Sequence, residues 1–177
     1  MSYKLHAFDA DSTLRVGTVP GQVCPNGPDE WAVIPGVAEK LATIDWTKAH
    51  FGIASNQWGV ALGFLTEQTA HRLLMALATT LLQRPSPPAA VQLCPHAPEA
   101  ACTCRKPAPG MLLALMRAHE VLPAHMVYVG NQDSDRLVAE RAGCAFEWAW
   151  DFFGHTKDAW EALCERTKSA GRAEVGR

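Results

Sequence analysis

Three short apolar runs along the chain stop abruptly at polar residues. Leu5-His6-Ala7-Phe8 meets two acids and the turn-forming pair Ser12-Thr13, Phe51-Gly52-Ile53-Ala54 meets Ser55-Asn56-Gln57, and Met126-Val127-Tyr128-Val129 meets Gly130-Asn131 with acids beyond. A fourth run, Val91-Gln92-Leu93, follows the stretch Arg84-Pro85-Ser86-Pro87-Pro88. Short apolar segments bounded in this way predict buried parallel strands. Between them, Ala70, Leu73, Leu74, Leu77, Ala78 and Leu81 recur at helical spacing after Thr66, a residue type suited to an N-cap. The proline run ends that helix, because proline lacks a backbone donor and disfavours helix in the residue before it. Further helices are expected from residue 35 to about 43 and over 111–119, 134–142 and 157–166. The polar, glycine-containing residues 167–177 read as a frayed tail. Strand and helix alternate, which predicts an α/β fold: a Rossmann-like, three-layer α/β/α sandwich around a central parallel sheet.

Length narrows the picture. A chain of 177 residues supports one substantial core and is short for two, so residues 1–166 are expected to form a single domain. Segments 15–34 and 57–93 are too short for a large inserted cap domain, which leaves any site comparatively open. With 16 basic and 18 acidic residues the formal charge is −2, and there is no global electrostatic footprint for nucleic acid or an anionic membrane. No apolar stretch approaches the roughly 20 residues that span a bilayer, and the first residues run straight into a strand. A cytoplasmic protein is expected. Monomer and small homo-oligomer are equally compatible with the sequence, and there is no internal repeat.

Candidate chemistry follows from where the strands end. In an open α/β sheet the ligand crevice lies outside the carboxyl ends of the strands, so one sheet can gather all three polar segments. Asp9 and Asp11, Asp133 and Asp135, and the cation of Cys104-Arg105-Lys106-Pro107 then form a magnesium-assisted phosphoryl-transfer site. A lone Asp-x-Asp reads more readily as a turn or a cap. Convergence of three segments reverses that reading.

The cysteines carry a second signal. Cys94 and His96 form one ligand pair, Cys102 and Cys104 another, and three thiolates with an imidazole suit tetrahedral zinc in a loop over 94–104. Four protein ligands leave no open position, so this Zn2+ is expected to be structural. Reliance on a disulfide is not expected of a cytoplasmic chain. Cys24, Cys144 and Cys164 read as small apolar residues, and His6 as a core residue. Because Cys104 stands two residues before Lys106, metal binding is expected to fix the loop that presents the lysine.

These segments, in this order, resemble the haloacid dehalogenase-like phosphatases, and within them the histidinol-phosphate and heptose-bisphosphate phosphatase branch, over about residues 3–150. The resemblance implies that Asp9 is the nucleophile and Asp11 the general acid/base, whose main-chain carbonyl also holds Mg2+. It further implies that Ser55 binds the transferring phosphoryl group and that Lys106 neutralises it and orients Asp9. Thr13, which is also expected to support the first loop, Asn56 and Arg105 complete the expected phosphate-binding set. Asp9, Asp11, Asn131 and Asp135 are the expected magnesium residues. Two positions depart from the family pattern: Asn131 stands where an aspartate is usual, and Ser12 replaces a glycine in a turn that needs a permissive backbone. Trp31 and Trp58 are loop aromatics that could stack on a sugar or base. The resemblance implies hydrolysis of a small phosphorylated metabolite, a sugar phosphate, bisphosphate or histidinol phosphate. Two other readings stay open: a 3′-phosphatase on DNA or RNA ends, and an inactive zinc-stabilised module that binds a phosphorylated ligand or a protein.

Overall fold

The computed structural model describes residues 3–22 and 24–175. Along the chain run β1 (Leu5–Phe8), β2 (Arg15–Gly17), β3 (Trp31–Val33), α1 (Val37–Leu41), β4 (His50–Asn56), α2 (Trp58–Ala61) and α3 (Glu67–Leu82). Then follow β5 (Val91–Cys94), α4 (Gly110–Ala118), β6 (Met126–Gly130), α5 (Asp133–Ala142), β7 (Ala145–Trp148), α6 (Ala149–Phe152) and α7 (Lys157–Val175). Five strands form a parallel sheet in the order β5-β4-β1-β6-β7, and β2 pairs antiparallel with β3 in a small separate ribbon. The order reverses at β1, the position where such sheets open a ligand crevice.

Both faces of the sheet are covered, as the alternating pattern of β1 requires. Phe8 joins Ile53, Leu74, Leu77 and Trp160 on the face under α1, α3, α6 and α7, while Leu5 and Ala7 join Met111, Leu115, Tyr128 and Val138 under α4 and α5. All six apolar positions expected on the inner face of α3 are buried. Thr66 caps that helix by accepting the Thr69 amide at 3.1 Å. The helix stops at Leu82, with Gln83 left-handed ahead of the prolines. The three-layer α/β/α expectation therefore holds, and among the described residues the chain between β1 and β4 carries only the β2–β3 ribbon and α1.

Sequence reading misjudged the last helix. α7 continues through Val175 instead of ending near residue 166, because Trp160, Cys164, Thr167 and Gly171 recur on one face that packs inward. Its polar composition hid that face. A Cβ on Gly171 would run into the Thr18 side chain, so the helix seats against the loop after β2 only at a glycine. Trp160 Nε1 donates to the Ser12 carbonyl at 3.0 Å, which ties α7 to the first site loop. The ribbon and β7 also escaped the sequence pattern: β2 and β3 have three residues each, and every residue of β7 is half-buried.

Candidate active site

Parallel register brings the three polar segments together. Phe8 pairs with Ile53 on one side and Val129 on the other, so Asp9, Ser55 and Asn131 emerge at the same edge of the sheet. A cavity of about 190 Å³ opens there, lined by Asp9, Asp11, Ser55, Asn56, Trp58, Arg105, Lys106 and Gln132. Lys106 Nζ lies 2.5 Å from Asp9 Oδ1 and 2.7 Å from Asp135 Oδ1, and it donates to the Tyr128 hydroxyl at 2.9 Å. The three ammonium protons are thus all used. Tyr128 passes its own proton to the Ala54 carbonyl at 2.8 Å.

Electrostatics follow from burial. Desolvation pushes Asp9 up to about 7; Lys106 pulls it down, and the neighbouring Asp135 and Asp11 add repulsion. Burial also works against the charge on Lys106, but Asp135 and Asp9 outweigh it and hold its pKa well above the usual lysine range. An ionised Asp9 is therefore short of positive charge. The Asp9 oxygen not bonded to Lys106 has no protein hydrogen bond among the described residues, as an attacking oxygen requires. Acidic oxygens short of a counter-charge are a donor set that fits a hard divalent cation such as magnesium.

Each expected residue can now be placed. Asp11 receives Arg15 Nε at 2.9 Å on one oxygen and Gln57 Nε2 at 3.0 Å on the other, and Gln57 also donates to Ser55 Oγ at 2.8 Å. Asn56 clamps the Lys106 main chain, accepting its amide at 3.1 Å and donating to its carbonyl at 3.4 Å. Arg105 donates to the His96 carbonyl at 3.0 Å. Ser12 has φ 64°, the left-handed backbone expected from its place in a glycine-type turn.

Three further residues can be placed. Asp135 stands behind the cavity with its oxygens occupied: Oδ2 accepts the Asn131 and Gln132 amides at 3.0 Å, and Oδ1 faces Lys106. It tucks there because Gly130 has no side chain, since a Cβ at that position would collide with Asp135. Thr13 is fully buried and donates to Asn131 Oδ1 at 3.2 Å, so it supports the loop and does not line the cavity. Trp31 lies in β3 under the Arg15 guanidinium, whereas Trp58 does line the cavity. Asp133 is exposed near Arg136. Sequence reasoning missed Tyr128 and Arg15 as site residues and gave Gln57 no role beyond its segment; a tyrosine inside an aliphatic strand and an arginine beside Leu14 and Val16 were the available signals.

The cysteine–histidine cluster forms as the spacing predicts. Cys94, His96, Cys102 and Cys104 bring their donor atoms within 4.8 Å of one another. Cys94 and Cys102 sulfurs are 3.8 Å apart, and His96 Nδ1 lies 3.5 Å from Cys94 and 3.2 Å from Cys104. Bonds of about 2.3 Å to sulfur and 2.0–2.1 Å to nitrogen, at a tetrahedral angle, give S···S near 3.8 Å and S···N near 3.5 Å. The donor set fits zinc, and all six cysteines are free of disulfides.

Fold and site together define a haloacid dehalogenase-like protein whose nucleophile candidate ends the first strand of the sheet. A family model described as polynucleotide kinase 3 phosphatase matches residues 4–153, and the chain belongs to that family of haloacid dehalogenase-like phosphatases. It is 36% identical over 121 residues to a D-glycero-beta-D-manno-heptose-1,7-bisphosphate 7-phosphatase of Bordetella bronchiseptica, covering 67% of this chain and 66% of the relative. The enzyme of the same description from Pseudomonas putida is 30% identical over 118 residues, covering 65% and 66%. The matches thus span just under two thirds of these relatives' length. A solved structure of D,D-heptose 1,7-bisphosphate phosphatase from B. bronchiseptica, complexed with magnesium and phosphate, superposes with a TM-score of 0.68 at 31% identity, covering 81% of this chain and 78% of that one. A HAD-like protein of Mesorhizobium loti, 18% identical with a TM-score of 0.69 over 93% of this chain and 87% of its own, shares the fold. No helix among the described residues is long and apolar enough to cross a membrane.

Proposed function

We propose that the chain is a magnesium-dependent phosphomonoesterase acting on a small phosphorylated sugar, a bisphosphate being the form favoured by the relatives. The observation that carries this reading is the buried Asp9–Lys106 pair at the floor of a cavity also lined by Asp11 and Ser55. Asp9 attacks phosphorus through its free oxygen; the bond to the leaving oxygen breaks as that oxygen takes a proton from Asp11. Water then attacks the phosphorus of the aspartyl-phosphate, gives its proton to Asp11, and phosphate departs from a restored Asp9 carboxylate. Ser55 Oγ and Lys106 hold the phosphoryl oxygens, and Lys106 keeps Asp9 oriented. Asp9, the Asp11 carbonyl and Asn131 would hold magnesium, which would supply charge to match the phosphoryl oxygens in the transition state. Asp135 serves this set from behind by gripping Lys106 and the backbone at Asn131.

The test is magnesium-dependent phosphate release from a panel of sugar phosphates, sugar bisphosphates, histidinol phosphate, nucleotides and a 3′-phosphorylated oligonucleotide, with Asp9→Asn as the blank. A sugar bisphosphate is expected to be turned over best. Release that survives in Asp9→Asn contradicts the reading. The name of the matching family model favours a second reading, a 3′-end phosphatase on nucleic acid. Against it stands the net charge of −2, and oligonucleotide turnover that falls steeply with salt would favour it.

A further inference from the structure

Arg15 occupies a position in β2 that burial would assign to an apolar residue. Its neighbours Leu14 and Val16 belong to the core, and Arg15 itself has no exposed surface. Nε donates to Asp11 Oδ1, but neither Nη1 nor Nη2 has a hydrogen-bond partner among the described residues. Trp31 offers the guanidinium only a ring 5.9 Å away. Leaving a buried polar group unsatisfied costs about 1–3 kcal/mol, and more for a charged one. Buried ion pairs can often be replaced by apolar residues of similar volume at no loss of stability. Packing gives no reason for arginine here; the interaction it makes is with Asp11.

Asp11 needs such a partner. Its side chain is 29% exposed on a turn, free to rotate unless gripped. Arg15 holds one carboxyl oxygen and Gln57 the other, and the main chain closes the same turn, with Ser12 N donating to Arg15 O at 2.7 Å and Arg15 N to Ala10 O at 3.0 Å. Both side-chain contacts are donors, so they suit Asp11 in its carboxylate form. Through Gln57 the grip extends to Ser55 Oγ, which fixes Asp11 relative to the phosphoryl site.

We infer that Arg15 is a positioning residue that aims the Asp11 carboxylate at the water which hydrolyses the aspartyl-phosphate. The inference rests on the acid/base role proposed for Asp11. Arg15 is buried and does not line the cavity, so it acts only through Asp11. The step it serves transfers one proton from the attacking water to Asp11 while the bond between phosphorus and Asp9 breaks.

The experiment uses p-nitrophenyl phosphate, whose leaving group departs without help from an acid, in rapid-mixing kinetics with magnesium on the whole chain. Arg15→Met is expected to lower steady-state p-nitrophenolate release by about 10²-fold, the cost of roughly 1 Å of misplacement. The first turnover falls far less, and phosphorylated Asp9 accumulates. Arg15→Lys, which retains a charge beside Asp11, shows a smaller loss with the same partition and carries the comparison if the methionine variant does not fold. First turnover and steady state falling in equal proportion would assign Arg15 a merely structural place and overturn the inference, as would an unchanged steady state. Failure of the underlying reading looks different: the unaltered protein would then form no phosphorylated Asp9 at all.

Discussion

The candidate active-site crevice and the cysteine–histidine cluster stand side by side at the carboxyl end of the sheet, where Asn56 pairs with Cys94, yet they are built in opposite ways. The cluster comes from one short loop, residues 94–104, and its four donors already lie within 4.8 Å of one another. The crevice is gathered from segments far apart in sequence, Lys106 lying 97 positions beyond Asp9, and it keeps buried acid beyond what its one lysine neutralises. A structural site satisfies every donor. A catalytic site leaves charge and one nucleophilic oxygen unsatisfied, and its neighbours must hold that arrangement in place. The two meet near Lys106, which stands two residues after Cys104 and whose main chain is clamped by the Asn56 side-chain amide.

The most damaging change should be on the catalytic side. Lys106→Met leaves Asp9 and Asp135 buried without their cation, and removing one partner of a buried pair costs about 3–5 kcal/mol. Denaturant unfolding should show a loss near the lower figure, since Asp9, already pushed up to about 7, can take a proton. Phosphate release should vanish in the same variant.

Cys104→Ser probes the other region. It should abolish stoichiometric zinc, measured by metal analysis, and reduce activity by less than about 10²-fold. Loss is limited because Asn56 still grips Lys106. Full activity without zinc would show that the cluster does not position the lysine.

Asn131→Asp adds a charge where the crevice has only an amide oxygen, which now accepts from Thr13. Magnesium titration of activity should show at least about tenfold tighter apparent binding, a modest share of what one charge contributes at close range. Unchanged affinity would remove Asn131 from the metal set.

The smallest effect concerns neither site. Burial holds His6 below the usual histidine range, with a lesser opposing contribution from the Tyr3 backbone, and burial and His50 lower His119. In the unfolded chain both bind protons near pH 6.5, whereas in the folded protein they do so only at lower pH. Stability is therefore full above about 6.5 and falls as the pH drops towards the folded values. His6→Phe, placed between the rings of Tyr3 and Trp46, should reduce the acid-side drop in melting temperature measured between pH 7 and pH 5.

What could be read from the sequence follows the same division. The parallel strands were legible because each apolar run stops at acids or amides, and the zinc ligands because loop spacing survives folding. Register across the sheet was not legible, so the depth of Asp135 and the burial of Thr13 could not be read. The first depends on the bare backbone of Gly130 close by in sequence, and the second on a contact with Asn131, 118 positions away. Arg15 and Tyr128 went unread because a polar residue in a buried strand shows its purpose only through its partner.

The account stands on Asp9 as the atom that receives the phosphoryl group. Acid-quenching the magnesium-loaded protein during turnover of p-nitrophenyl phosphate, then mapping peptides by mass spectrometry, tests this directly. One phosphoryl group on the peptide carrying Asp9, absent from Asp9→Asn, is the expected result. Sustained phosphate release with no phosphorylated Asp9, or with the group on another residue, would contradict it.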